Sequence, residues 1–107
     1  TSTILNDQHE SKAILDIFDN KLVPVTANKS LHGHLIAAAG AMEVLNTIVA
    51  LNEGFIPGSI NCDEKDDTCP VNLIKKTQFQ KMNRVLKNSF GMGGLAASMV
   101  LERGASC

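Results

Sequence analysis

Lys29-Ser30-Leu31-His32-Gly33-His34, running on through Leu35-Ile36-Ala37-Ala38-Ala39-Gly40-Ala41-Met42-Glu43, is the stretch on which the reading of this chain turns. Its first part is polar and loop-like, and Asn28 and Ser30 carry helix-capping chemistry. From about His34 to Asn52 the chain then reads as a helix that is apolar on nearly every face, interrupted by Glu43, Asn46 and Thr47. A helix of that kind belongs inside a larger body. Gly54 provides its stop. Leu35 to Leu51 is too short and too interrupted for a clean membrane span, so a buried helix is expected and no membrane partner.

Upstream, Thr1 to Asn6 is polar, and Asp7 to Phe18 places Ala13, Ile14, Ile17 and Phe18 on one side of a helix that Asn6 or Asp7 can cap. Asp19-Asn20 breaks it. Leu22 to Ala27 is rich in β-branched residues and reads as a strand despite Pro24. Downstream, Phe55 to Asn61 reads as an irregular connection and Cys62 to Pro70, with five charged residues, as an exposed loop. Val71 to Ile74 is a short strand candidate and Lys75 to Asn83 a polar linker. Val85 to Phe90 and Leu95 to Glu102 form a hairpin about Gly91-Met92-Gly93-Gly94. These elements are too few and short to cover the central helix, so the chain reads as part of a larger fold or of an assembly.

The composition sets bounds. A length of 107 residues allows one domain at most. With 44% hydrophobic and 20% charged residues the chain is not of disordered composition. Phe is the only aromatic, so a core must be built from aliphatic residues, Ala and Met. A formal net charge of −1 argues against nucleic acid as a partner, because a phosphate backbone calls for a basic surface. Cys62, Cys69 and Cys107 are odd in number and form no close pair, which suggests a reducing compartment rather than a disulfide framework or zinc site. The bacterial cytosol, mitochondrion and plastid all remain open as locations. His32 and His34 could be a metal pair, but two ligands without a third are weak, and no metal is expected.

The Lys29-Ser30-x-x-Gly33-His34 block, the Ala38-Ala39-Gly40-Ala41-x-Glu43 block, the opening Thr1-Ser2-Thr3 and the closing Asn88-Ser89-Phe90-Gly91-Met92-Gly93-Gly94 occur in one order and spacing. Together they resemble the C-terminal part of a β-ketoacyl-acyl-carrier-protein synthase of the elongating type, within the thiolase superfamily. The resemblance covers essentially the whole chain, 1–107, as one thiolase-like domain portion. The implied fold is α/β and thiolase-like, an incomplete C-terminal half with a mixed sheet and a buried central helix. The implied reaction is decarboxylative Claisen condensation of malonyl-acyl-carrier protein with an acyl thioester in fatty-acid elongation. No cofactor is implied. The implied partner is acyl carrier protein, and the parent enzyme is expected to be a homodimer.

The resemblance also assigns roles. His34, expected in the first turn of the apolar helix, would stabilise the enolate formed on decarboxylation; the positive helix end would keep its imidazole neutral and able to donate an N–H. As bare sequence, a histidine that merely caps the helix fits as well. Lys29, by itself an ordinary surface lysine, becomes an active-site lysine. Glu43 would join it in a buried polar network, although Glu43, Asn46, Thr47 and Ala50 could also be a solvated stripe. Thr1 and Thr3 would offer hydroxyls to the pantetheine arm. Phe90 and Met92 would form the gate of the acyl pocket, Met92 where the family usually has Phe.

The family's nucleophilic Cys lies far upstream, and none of the three cysteines here matches it. The chain is therefore expected to be a portion of a longer enzyme and inactive alone. Met92, Leu95 and Ala96 depart from the family pattern, as do His32 and Asn28. Met92, Leu95 and Ala96 keep open a non-catalytic condensing-enzyme-like partner subunit, and the motifs do not separate a polyketide-type ketosynthase, which shares the chemistry. Lys75, Lys76, Lys81 and Arg84 make a modest basic cluster that either meets the acidic carrier protein or is simply solvated.

Overall fold

The computed structural model describes residues 1–64 and 66–104. Lys65, in the charged loop, and Cys107, one of the three cysteines, lie outside the described residues. The elements are α1 (Ile4–Ile17), β1 (Pro24–Val25), α2 (Lys29–His32), a 3-10 turn (Ile36–Ala38), α3 (Ala39–Glu53), β2 (Phe55–Ile56), β3 (Asn72–Leu73), β4 (Gln78–Phe79), β5 (Arg84–Gly91) and β6 (Leu95–Glu102). They fall into two compact units: Thr1–His34 with Pro57–Thr77, and Leu35–Ile56 with the chain from Gln78 onward.

In the first unit, α1 begins at Ile4, three residues before the expected start, with Thr3 in the extended cap position and Asp7 in the first turn. It ends at Ile17 because Asp19 and Asn20 take left-handed backbone angles, which short polar side chains tolerate. The expected face packs only in part: Ile14 and Phe18 are half-buried on the side of buried Ser11, while Ala13 and Ile17 are exposed. The strand expected over Leu22 to Ala27 shrinks to Pro24–Val25, with proline in first position, where its missing N–H does least harm. β1 pairs in parallel with β3, Val25 opposite Leu73, and Ile74 N–H extends the ladder to the Val25 carbonyl at 2.8 Å.

The same unit contains a close backbone approach. A Cβ at Gly58 would stand 2.8 Å from the Lys75 carbonyl oxygen and from the Thr77 nitrogen, so only glycine fits. Beside it, Ser59 N–H donates to the Ile74 carbonyl at 2.7 Å.

In the second unit, α3 starts at Ala39 after the 3-10 turn, so the helix does not begin at His34 as expected. Gly54, left-handed at φ 74, ends it, and its N–H returns to the Ala50 carbonyl. The buried face is Ala39, Glu43, Thr47, Ala50 and Leu51; Leu45 and Val49 on the other side are 58% and 53% exposed. Two short strands occupy stretches expected to be irregular or linker, since β2 pairs antiparallel with β4, Phe55 opposite Phe79. β5 and β6 form the expected hairpin, from Arg84 opposite Glu102 to Gly91 opposite Leu95. Among the described residues, no helix is long and apolar enough to cross a membrane.

Candidate active site

The lysine-to-histidine motif is a turn braced by hydroxyls. Lys29 opens α2, a single helical turn that Gly33 closes at φ 78 with an N–H bond to the Lys29 carbonyl at 2.8 Å. Ser30 Oγ donates to the Ala27 carbonyl at 2.8 Å and accepts Ile60 N–H at 3.1 Å. Ser59, buried at 4% exposure, accepts Ala27 N–H at 2.8 Å. Thr26 Oγ1 donates to the Pro57 carbonyl at 2.6 Å. Two chain segments about thirty residues apart are thereby joined around the backbone that presents Lys29, which is itself half-buried.

His34 is exposed and lies between Gly33 and the 3-10 turn, outside any helix. The expectation that it occupies the first turn of the apolar helix is thus corrected, and the dipole of α3 cannot be invoked for it on that basis. Two residues on, Ile36 takes φ 49. A β-branched residue rarely adopts that conformation, and such strain gathers at functional turns. The His32 ring is held by a 2.8 Å contact from Nδ1 to the Gly33 carbonyl. Thr1 and Thr3 belong to this unit and are exposed, their hydroxyls 3.1 Å apart.

The remaining candidates belong to the second unit. Glu43 is buried, which removes the solvated-stripe reading for its face of α3. Its Oε2 accepts Lys87 Nζ at 2.9 Å, each side chain 11% exposed. Lys87 Nζ also donates to Ser89 Oγ. Thr47 Oγ1 donates back to the Glu43 carbonyl at 2.7 Å. Phe90 is partly exposed near the end of β5, and Met92 is 97% exposed at the tip of the hairpin, where Gly93 and Gly94 supply the left-handed angles of the turn.

Of the basic residues, Lys75 and Lys76 belong to the first unit and Lys81 and Arg84 to the second. Lys75 Nζ donates to the Asp63 carbonyl in the first unit, and Arg84 pairs with Glu102 at 3.0 Å in the second. Cys62 and Cys69 are free thiols. In the neighbouring loop, the Thr68 hydroxyl and then its amide donate to the Asp66 carboxylate and hold that carboxyl below its ordinary range.

The sequence reading missed Ser59 and Lys87. A lone serine after Pro57-Gly58 carries no signal for a brace. Lys87 had one: in a strand, Val85, Lys87 and Ser89 share a face, so a helix carboxylate packed there would meet the lysine.

Residues 1–63 match the family model described as Beta-ketoacyl synthase, C-terminal domain. The chain is 36% identical over 104 residues to 3-oxoacyl-(acyl-carrier-protein) synthase 1 of Escherichia coli strain K12, covering 96% of this chain and 26% of that protein. It is 33% identical over 106 residues to 3-oxoacyl-(acyl-carrier-protein) synthase 2 of Coxiella burnetii, with the same shares covered. Nodulation protein E of Rhizobium leguminosarum is similar at 30% over 105 residues. The chain spans about a quarter of the length of these relatives.

Among solved structures, the ishigamide ketosynthase/chain length factor superposes with a TM-score of 0.94 at 32% identity, over 98% of this chain and 26% of that one. A type II PKS acyl-carrier protein in complex with its ketosynthase bound to the hexaketide gives 0.92 at 27% identity, over 97% and 26%.

Proposed function

The chain belongs to the β-ketoacyl synthase family through that family's C-terminal domain, and on this premise we propose that its parent protein is a 3-oxoacyl-acyl-carrier-protein synthase of fatty-acid elongation. The observation that carries the proposal is the braced turn: Lys29 and His34 flank a glycine-closed helical turn whose hydroxyl supports lie within the family-matched residues 1–63.

In the proposed reaction an acyl group first moves from its carrier thioester to a cysteine thiolate, and the carrier thiol leaves. That cysteine is assigned to a part of the parent that these residues do not span. Malonyl thioester then loses CO₂, and the electrons of the broken C–C bond pass to the thioester oxygen as an enolate. The enolate carbon attacks the acyl-cysteine carbonyl; a C–C bond forms, the C–S bond breaks and the thiolate is regenerated.

His34 donates an N–H to the enolate oxygen, and a donor placed where charge develops is the largest lever available to the protein. Lys29 supplies positive charge near the departing carboxylate, and Glu43 takes part as a buried carboxylate paired with Lys87. Thr1 and Thr3 take the pantetheine arm, and Phe90 with the Met92 turn gates the acyl pocket. Acyl carrier protein is the proposed partner and a homodimer the proposed assembly; the ketosynthase complexed with its carrier protein supports the first of these.

The full-length parent, given acyl- and malonyl-carrier protein, should form a cysteine-bound acyl group and then release CO₂ and 3-oxoacyl-carrier protein. A second reading is favoured by Met92, Leu95 and Ala96 at the gate and by the similarity to a ketosynthase/chain length factor pair: a partner subunit without its own nucleophile. A parent that takes up no acyl group alone, yet changes the product length of an active homologue, would establish that reading instead. Polyketide rather than fatty-acid products from the active parent would move the pathway and leave the chemistry intact.

A further inference from the structure

Lys87 lies outside every motif that carries the proposed function, yet it joins two of them. Its ammonium is 2.9 Å from Glu43 Oε2, both side chains are only 11% exposed, and it donates to Ser89 Oγ as well. A buried charge is retained only with partners, and this one is shared between helix α3 and its own strand. The Nζ runs alongside Gly40, one turn before Glu43. Beyond this point residues 90–100, the end of β5, the turn and most of β6, are all exposed, and β5 continues in its ladder with β6 as far as Gly91 opposite Leu95. The ion pair thus fastens β5 to α3 at Lys87, three residues before Phe90 and five before Met92.

We infer that Lys87 is a positioning residue, whose ammonium ties Glu43 on α3 to β5 and thereby sets where Phe90 and the Gly91–Gly94 turn stand. The inference rests on the reading of that turn as the acyl gate. A neutral residue at this position would release the strand end while leaving His34 and Lys29 untouched.

The test uses the full-length parent and compares cysteine acylation by hexanoyl- and dodecanoyl-carrier protein. Lys87→Met should shift the ratio of kcat/KM for the two chain lengths by about fivefold or more, whereas Lys87→Arg, which keeps the charge, should hold the wild-type ratio. Should Lys87→Met fail to fold, Lys87→Gln retains a donor for Glu43 and is read the same way, with a smaller shift expected. A folded neutral variant with the wild-type ratio overturns the inference.

Thermal midpoints of wild type, Glu43→Gln, Lys87→Met and the double variant should be non-additive, and additive values would contradict the pairing itself. If the wild-type parent neither acylates nor condenses, the enzyme reading fails and this inference falls with it. An active wild type with a chain-length ratio insensitive to Lys87 removes the inference alone.

Discussion

Ser59 shows what a single side chain contributes here. Its hydroxyl is the acceptor for Ala27 N–H, two residues before Lys29, and it is buried. Ser59→Ala strands that amide. The expected cost is about 1–2 kcal/mol in urea unfolding, with faster exchange of the Ala27 amide. Unchanged exchange would show that the brace is not needed. Asp66 gives a pH prediction. Its folded carboxyl is depressed, so its contribution to stability is present above the unfolded value and is lost as pH falls through the folded one. Thr68→Val removes the largest of the three donors and leaves the Thr68 amide and the Cys69 thiol, so the midpoint followed by carboxyl NMR should rise towards the ordinary range. A midpoint that does not move would assign the depression to the Thr68 amide and the Cys69 thiol.

At the scale of elements, the contrast between two glycines separates space from conformation. Gly58→Ala drives a Cβ to 2.8 Å from main-chain atoms that cannot yield, and about 2 kcal/mol or more of stability should be lost. Gly93→Ala meets nothing within 4 Å but must hold φ 79, for which about 1 kcal/mol is expected. Equal losses in the two unfolding curves would contradict the steric account of Gly58. The elements legible in the sequence were those with strong local signals: α1, the run from Ala39 to Gly54, and the hairpin around its glycine turn. Phe55–Ile56 and Gln78–Phe79 have no periodicity of their own, because β2 and β4 are two-residue strands held by pairing rather than by pattern. The start of α3 was misplaced because Leu35-Ile36-Ala37-Ala38 continues its apolar run with no Pro or side-chain cap to mark the boundary, and the chain enters the helix through a 3-10 turn.

At the scale of the whole chain, the packed faces mix polar and apolar groups, Glu43 and Thr47 being buried beside Ala39, Ala50 and Leu51. α3 buries Glu43 and Thr47 and leaves Leu45 and Val49 exposed; β5 turns Lys87 and Ser89 inward and leaves Leu86 and Phe90 more open. Hydropathy reads a helix apolar all round but cannot tell which side packs first, and this is why Glu43 remained open between a network and a solvated stripe. Lys29, His34 and Glu43 could be named as candidates from residue type and motif, Lys29 and His34 in the first unit and Glu43 in the second. Ser59 and Lys87 could not, because they act through partners about thirty and forty-four positions away in the chain.

The central claim is that His34 stabilises the enolate in a condensing enzyme. It is tested most directly by malonyl-carrier-protein decarboxylation in the full-length parent with His34→Ala. The account predicts a loss of about a hundredfold or more in kcat, the scale seen when a donor to a developing oxyanion is removed. Decarboxylation at the wild-type rate in that variant would contradict it.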